Sequence, residues 1–344
     1  MNPVLNASAP AILVSPKVAQ SSGTRILELA RAGGLADARL VVLDANQVPG
    51  AEERERIGIA LMSFDVIGGS SKTVTEPQLA TFFETVRTSP NLRWMQAPTA
   101  GLDRPLYREL HARGVRLTSA AGANARAVAH TAVAGLLALA RRLPLALQAQ
   151  RERRWLPLRG ELLPPALENQ HAVVVGMGRI GLDIARVLRA LGLRVTGERR
   201  EARPHPDLDR VIAYGDLDDV LPDAQWLVLA CPLTPTTMNL VDRRRLALLP
   251  AGAGVVNVAR GEVVDEGALS DALVDGRLAG AFLDVFAVEP LPPEAPFWGL
   301  SNAIVSAHSA GHSSAHEANV VELFLRNLPR ALGGEALENE WTPA

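Results

Sequence analysis

Short apolar runs alternate with helix-spaced apolar positions along most of this chain. In the first third, runs at residues 11–14, 40–43, 57–61, 93–96 and 116–118 predict strands. Between them, residues 24–32, 77–88 and 105–113 have helical spacing, with Thr75 placed to cap the second helix. From His171 the alternation resumes. Runs at 172–175, 193–196, 226–230, 254–258, 281–283 and 303–306 predict six more strands. A closing helix is predicted at 315–332, with Val320, Val321, Phe324, Leu325 and Leu328 at helical spacing. Alternating strands and helices imply a doubly wound parallel α/β architecture. Two segments break the pattern. ARAVAHTAVAGLLALARRL, residues 125–143, is apolar on nearly every face, so a helix there must be covered by more than one neighbour, as a domain-joining or subunit-interface helix would be. The polar, proline-bearing QRERRWLPLRGELLPPALENQ that overlaps no strand or helix pattern reads as a surface crossing. No repeat of fixed period and no low-complexity tract interrupts the chain.

Composition narrows the classes. A length of 344 residues suggests two or three domains, and 48% hydrophobic with 21% charged residues excludes wholesale disorder. The net charge of −2 gives no reason to expect a nucleic-acid partner. Of the 35 basic residues only Lys17 and Lys72 are lysines, so an arginine argues for function only where its position is special. The single cysteine, Cys231, excludes an intrachain disulfide and a cysteine-cluster metal site, and its position before Pro232 reads as structural. No apolar run approaches a membrane span, and residues 1–10 lack the basic-then-apolar pattern of a leader. A soluble cytoplasmic protein without metal, membrane or nucleic-acid partner is the expectation.

The sharpest chemical signal is VVVGMGRIGLDIARVL. Gly176, Gly178 and Gly181 follow a predicted strand and open a helix with Ile180, Ile184, Val187, Leu188 and Leu191 at helical spacing. A dinucleotide site needs this order: one glycine for a tight turn, one for backbone approach to the pyrophosphate, and one for helix–strand packing. The next strand leads to Glu198, Arg199 and Arg200, where the adenine ribose is read. Two arginines favour the 2′-phosphate of NADP over NAD, while Glu198 could serve a 2′-hydroxyl or repel a phosphate. Later strands run into Arg260, into Asp284 and then Glu289, and into His308. Ligands of open α/β sheets lie beyond strand carboxyl ends, so these side chains should gather at one edge. Arg260 can grip a carboxylate and polarise a carbonyl, and His308 can exchange a proton as hydride is transferred. A carboxylate on the imidazole would fix its tautomer, and spacing alone leaves Asp284 and Glu289 both open for that part.

At these residues the chain resembles the D-isomer-specific 2-hydroxyacid dehydrogenases. The resemblance runs from residue 92 to 339, through NLRWMQAPTAGLD, AVAHTAVAGLLALAR, VVVGMGRIG, PLTPTT, VVNVARGEVVDEGAL, GAFLDVFAVEPLP and AHSAG. It implies catalytic Arg260, Glu289 and His308, which selects Glu289 over Asp284. It also implies cofactor contacts at Arg179, Ile180, Val258, Ala259, Asp284 and Gly311. The loop Ala100, Gly101, Leu102 corresponds to one whose amides meet a substrate carboxylate. Arg199 stands where NAD-preferring members carry aspartate, as in NADP-preferring members. Where the family often has Glu-His, this chain has His130 and Thr131. The Met62–Ser63 loop could help to select the substrate. The implied architecture is a Rossmann domain, residues 125–311, inserted into a discontinuous flavodoxin-like substrate domain, residues 1–124 and 312–344, with Ala100 and Gly101 facing Arg260 and His308. The implied activity is reduction of a small 2-oxo acid, glyoxylate or hydroxypyruvate, with NADPH by a homodimer. Two alternatives remain: a formate dehydrogenase, which would carry glutamine in place of Glu289, and a non-catalytic dinucleotide sensor or assembly protein.

Overall fold

The computed structural model describes residues 10–70, 74–102, 104–200 and 202–342. Lys72 and the first nine residues, on which the leader expectation rested, lie outside them. Strands among the described residues are β1 Ala11–Val14, β2 Arg39–Val42, β3 Ile57–Leu61, β4 Trp94–Gln96, β5 Arg116–Thr118, β6 His171–Val175, β7 Arg194–Glu198, β8 Arg210–Ile212, β9 Trp226–Leu229, β10 Gly254–Asn257, β11 Gly280–Leu283, β12 Ala303–Val305 and β13 Glu340–Trp341. The chain divides into two compact units, Met1–Asn124 with Ser313–Ala344, and Ala125–His312.

The first unit holds a sheet of order β13-β5-β4-β3-β1-β2. Every residue of β1 and β3 is buried, the signature of a parallel sheet covered on both faces. Ile12, Val14, Ile59, Leu61 and Trp94 pack with helices Pro16–Ala32 and His316–Leu332. Leu13, Ala60, Met95 and Leu117 face helices Pro77–Thr88 and Pro105–Ala112. Trp94 stacks on Phe324 at 4.8 Å between centroids. Burial of each ring contributes on the order of 2–3 kcal/mol. The first helix begins at Pro16, well before the periodicity predicts, because Ser15 accepts from the Val18 amide and Pro16 presets the first turn. The cap of Pro77–Thr88 is Glu76 rather than Thr75: Pro77 fixes the first helical position and holds its predecessor extended. β13, which no pattern predicts, pairs antiparallel with β5.

The second unit holds an all-parallel sheet of order β12-β11-β10-β9-β6-β7-β8. Alternate residues again serve opposite faces, Val173 and Val175 on one and Ala172 and Val174 on the other. The short β8 was not predicted. The apolar helix runs from Ala125 to Ala140, three residues short of the predicted end, because Arg142 turns left-handed at φ 56° and Pro144 begins a second helix, Leu143–Arg151, bent 69° away. It packs on helix Arg179–Ala190 and on Phe282, whose ring lies where a Cβ on Gly135 would stand. Among the described residues no single helix is long and apolar enough to cross a membrane.

Candidate active site

The carboxyl ends of the second sheet carry the candidate chemistry. β6 runs into Gly176, which adopts φ 96° and whose Cβ would stand 2.5 Å from the Cys231 backbone. Gly181 presses against β6 so closely that a Cβ would lie 2.0 Å from the Gly176 oxygen. At Gly178 the same test meets nothing within 4 Å, so this position opens outward. Helix Arg179–Ala190 then starts without a side-chain cap and without an acidic residue in its first turn. Arg179 is exposed and Ile180 half-buried there. A tight turn, open space and uncapped amides are what a pyrophosphate needs, so these residues fit a dinucleotide.

At the end of β7, Glu198 is fully buried, and neither carboxylate oxygen has a hydrogen bond of ordinary geometry. Burial pushes its carboxyl up to about 8, against weaker opposing pulls from the Gly176 amide and the Arg245 charge. Arg199 is half-buried and Arg200 exposed, and neither has an ion pair among the described residues. Burial likewise pushes the Cys231 thiol up to about 12, with Glu198 adding to the effect, which makes it an unreactive core residue.

β10 ends at Asn257, whose side chain grips the following turn. Its Oδ1 accepts from the Ala259 amide at 3.0 Å and its Nδ2 donates to the Arg260 carbonyl at 3.0 Å. Val258 and Ala259 are buried in that turn. Arg260 Nη1 donates to the Ala259 carbonyl at 2.7 Å. Gly261 lets this turn close on the next one: a Cβ there would fall 2.0 Å from the Ala287 nitrogen. That neighbouring segment delivers Glu289, whose Oε1 accepts from the Phe286 amide at 3.0 Å. Its Oε2 accepts from Nδ1 of His308 at 2.8 Å. The imidazole is 45% exposed and the carboxylate 12%, so the pair presents its histidine outward.

Asp284 does other work. It is buried, and its carboxylate accepts from Ser306 Oγ at 2.5 Å, the Ser309 amide at 2.8 Å and the Ala310 amide at 3.0 Å. Its own carbonyl accepts from the His308 amide at 2.8 Å. His308 takes φ 51° within this turn, and Gly311 follows half-buried. The structure thus joins Glu289, not Asp284, to the histidine.

In the first unit, Ala100 is exposed, Gly101 half-buried and Leu102 buried, with Thr99 Oγ1 donating to the Gly101 carbonyl at 2.8 Å. Met62 and Ser63 are buried, and the Ser63 hydroxyl lies within hydrogen-bond distance of both Ser15 Oγ, at 2.9 Å, and the Asp65 carboxylate, so their side chains serve packing rather than an open surface. Asn257 stands outside the residues that the sequence singles out, and its one signal there is an amide side chain at the last strand position before the Ala259–Arg260 turn. Among the described residues no group of three His, Cys, Asp or Glu side chains could hold a metal.

Residues 133–310 match the family model described as D-isomer specific 2-hydroxyacid dehydrogenase, NAD binding domain. A glyoxylate reductase of Korarchaeum cryptofilum is 31% identical over 268 residues, covering 77% of this chain and 80% of that protein. A D-isomer specific 2-hydroxyacid dehydrogenase family protein from Aeromonas salmonicida superposes with a TM-score of 0.76 at 27% identity, over 97% of this chain and 99% of the other. Another such dehydrogenase, from Xanthobacter autotrophicus and solved with NADPH and MES, gives 0.75 at 29% identity over 98% of each chain.

Proposed function

Since the chain belongs to the D-isomer-specific 2-hydroxyacid dehydrogenase family, whose members are NAD(P)-dependent oxidoreductases of CH–OH groups, we propose that it reduces glyoxylate or hydroxypyruvate with NADPH. The observation that carries this reading is the Glu289–His308 pair at 2.8 Å. With Nδ1–H donated to the carboxylate, Nε2 is left to serve the substrate, and the tautomer is fixed. A nicotinamide cofactor, when bound, would supply the hydride for C2 of the 2-oxo acid. As that carbon is reduced, its oxygen takes the Nε2 proton of the His308 imidazolium, which leaves neutral imidazole with its Nδ1–H still on Glu289; in the reverse direction Nε2 takes the proton back. Arg260 holds the substrate carboxylate and polarises the carbonyl through its planar fork. Gly176, Gly178, Arg179, Ile180 and Gly181 would hold the pyrophosphate of such a cofactor, and Val258, Ala259, Asp284 and Gly311 would serve its nicotinamide end.

NADPH over NADH is supported by Arg199 and Arg200 at the tip of β7, where Glu198 is buried and the arginines are the more accessible side chains. The substrate choice leans on the activity named for the Korarchaeum relative. The assembly we propose is a homodimer, supported by Leu143, Leu147, Trp155 and Leu163, exposed apolar residues within one stretch of about twenty residues. The test is a panel of 2-oxo acids run with NADPH and with NADH. Turnover of glyoxylate or hydroxypyruvate with NADPH is expected. NADPH binding with silence across the panel would instead indicate a dinucleotide sensor, and glyoxylate reduction faster with NADH would remove the part given to Arg199.

A further inference from the structure

The turn that carries His308 is held from two directions. From the end of β11, Asp284 takes the amides of Ser309 and Ala310 and the hydroxyl of Ser306. From the apolar helix Ala125–Ala140, Thr131 Oγ1 donates to the carbonyl of Ala310 at 3.1 Å, across 179 residues of sequence. Ala310 is therefore fixed at both its amide and its carbonyl, two residues from an imidazole whose backbone is left-handed. A non-glycine residue keeps such a conformation only where its surroundings impose it. Within a helix a threonine hydroxyl ordinarily bonds back to the carbonyl one turn earlier, and β-branching makes threonine a modest helix former. Here the hydroxyl reaches out of its helix instead. Thr131 is also one of the two positions at which the resemblance often has Glu-His, and the other, His130, is exposed.

We infer that Thr131 is a positioning residue for proton transfer: its hydroxyl, acting through Ala310, sets the turn that keeps His308 Nδ1 on Glu289. This rests on the reading of His308 as the proton donor. Asp284 restrains the amide side of the turn, and Thr131 supplies the restraint that β11 cannot, because it approaches from a different layer.

The experiment compares wild type, Thr131→Val, which keeps the shape without the hydroxyl, and Thr131→Ser, which keeps the hydroxyl. Each is assayed with the best 2-oxo acid of the panel and NADPH, with NADPH titrated by fluorescence. Thr131→Val should lower kcat about ten-fold, in line with small displacements of a reacting group. It should leave the NADPH Kd within about two-fold and raise the solvent deuterium isotope effect on kcat, as proton transfer becomes rate-limiting. Thr131→Ser should restore kcat and the isotope effect. Should the valine variant fail to bind NADPH, Thr131→Ala, which is smaller and favours the helix, takes its place. Variants with wild-type kcat and isotope effect, differing only in melting temperature, would overturn the inference and leave His308 in its role. A wild type inactive across the panel would overturn the reading of His308 and this inference with it.

Discussion

The two sheets share a plan and differ in what their carboxyl ends do with polar groups. In the first unit Ser15, Ser63 and Asp65, which follow β1 and β3, close on one another, with Ser63 donating to Ser15 at 2.9 Å. In the second, Gly178 opens outward, Arg200 is exposed and His308 stands 45% exposed on its carboxylate. Both are doubly wound, so architecture alone does not locate the chemistry. What separates them is whether the polar groups at the strand ends are spent on each other or left facing out.

The hardest test of that contrast is His308→Gln. Loss of the proton donor should lower kcat for 2-oxo acid reduction by about 10²–10⁴, with NADPH binding retained, as steady-state rates and cofactor titration would reveal. Normal turnover would mean that the outward groups of the second sheet are not the reacting ones.

Glu198 is the exception on its own sheet, a strand-end carboxyl turned inward. Its pKa of about 8, against an ordinary 4.5, means that the folded protein holds a proton the unfolded chain has lost. Stability therefore falls as pH rises from about 4.5 to 8 and levels off above that, the folded state being penalised by roughly 3 kcal/mol at pH 7. Glu198→Gln should remove the penalty. Denaturation at pH 5 and pH 8 should show the variant gaining on wild type as pH rises, whereas parallel pH profiles would place the carboxyl in water.

The smallest effect belongs to the first sheet. Ser63→Ala should cost about 1–2 kcal/mol of stability, since it strips Ser15 and Asp65 of a hydrogen-bond partner, and leave kcat where it was. A kcat loss larger than the stability change would return the Met62–Ser63 loop to the substrate.

The same contrast explains what could be read in the sequence. Most strands were legible because both faces of each sheet are covered, so β1, β3, β6 and β10 are buried along their whole length and consist mainly of apolar residues. β8 and β13 were not: both are short edge strands with charged residues, Arg210 and Glu340, where pairing rather than burial defines the strand. The glycine loop, Arg260, Glu289 and His308 could be found because each uses a side chain, or the lack of one, that few residues replace. Ala100–Leu102 offers only backbone, which any sequence supplies, and became visible through resemblance alone. The part of Thr131 is invisible in sequence, since its partner Ala310 lies 179 residues away.

The first unit is assembled from both sides of the second. Val320, Phe324 and Leu328 of helix His316–Leu332 complete the layer over β1 and Trp94, and β13 closes the edge beside β5. On a ribosome the second unit therefore emerges whole while one layer of the first is only half built. Helix Pro16–Ala32 is by then the only helix over Ile12, Val14 and Ile59, and the layer closes only when His316–Leu332 has been made, so the first unit is the last to complete its core.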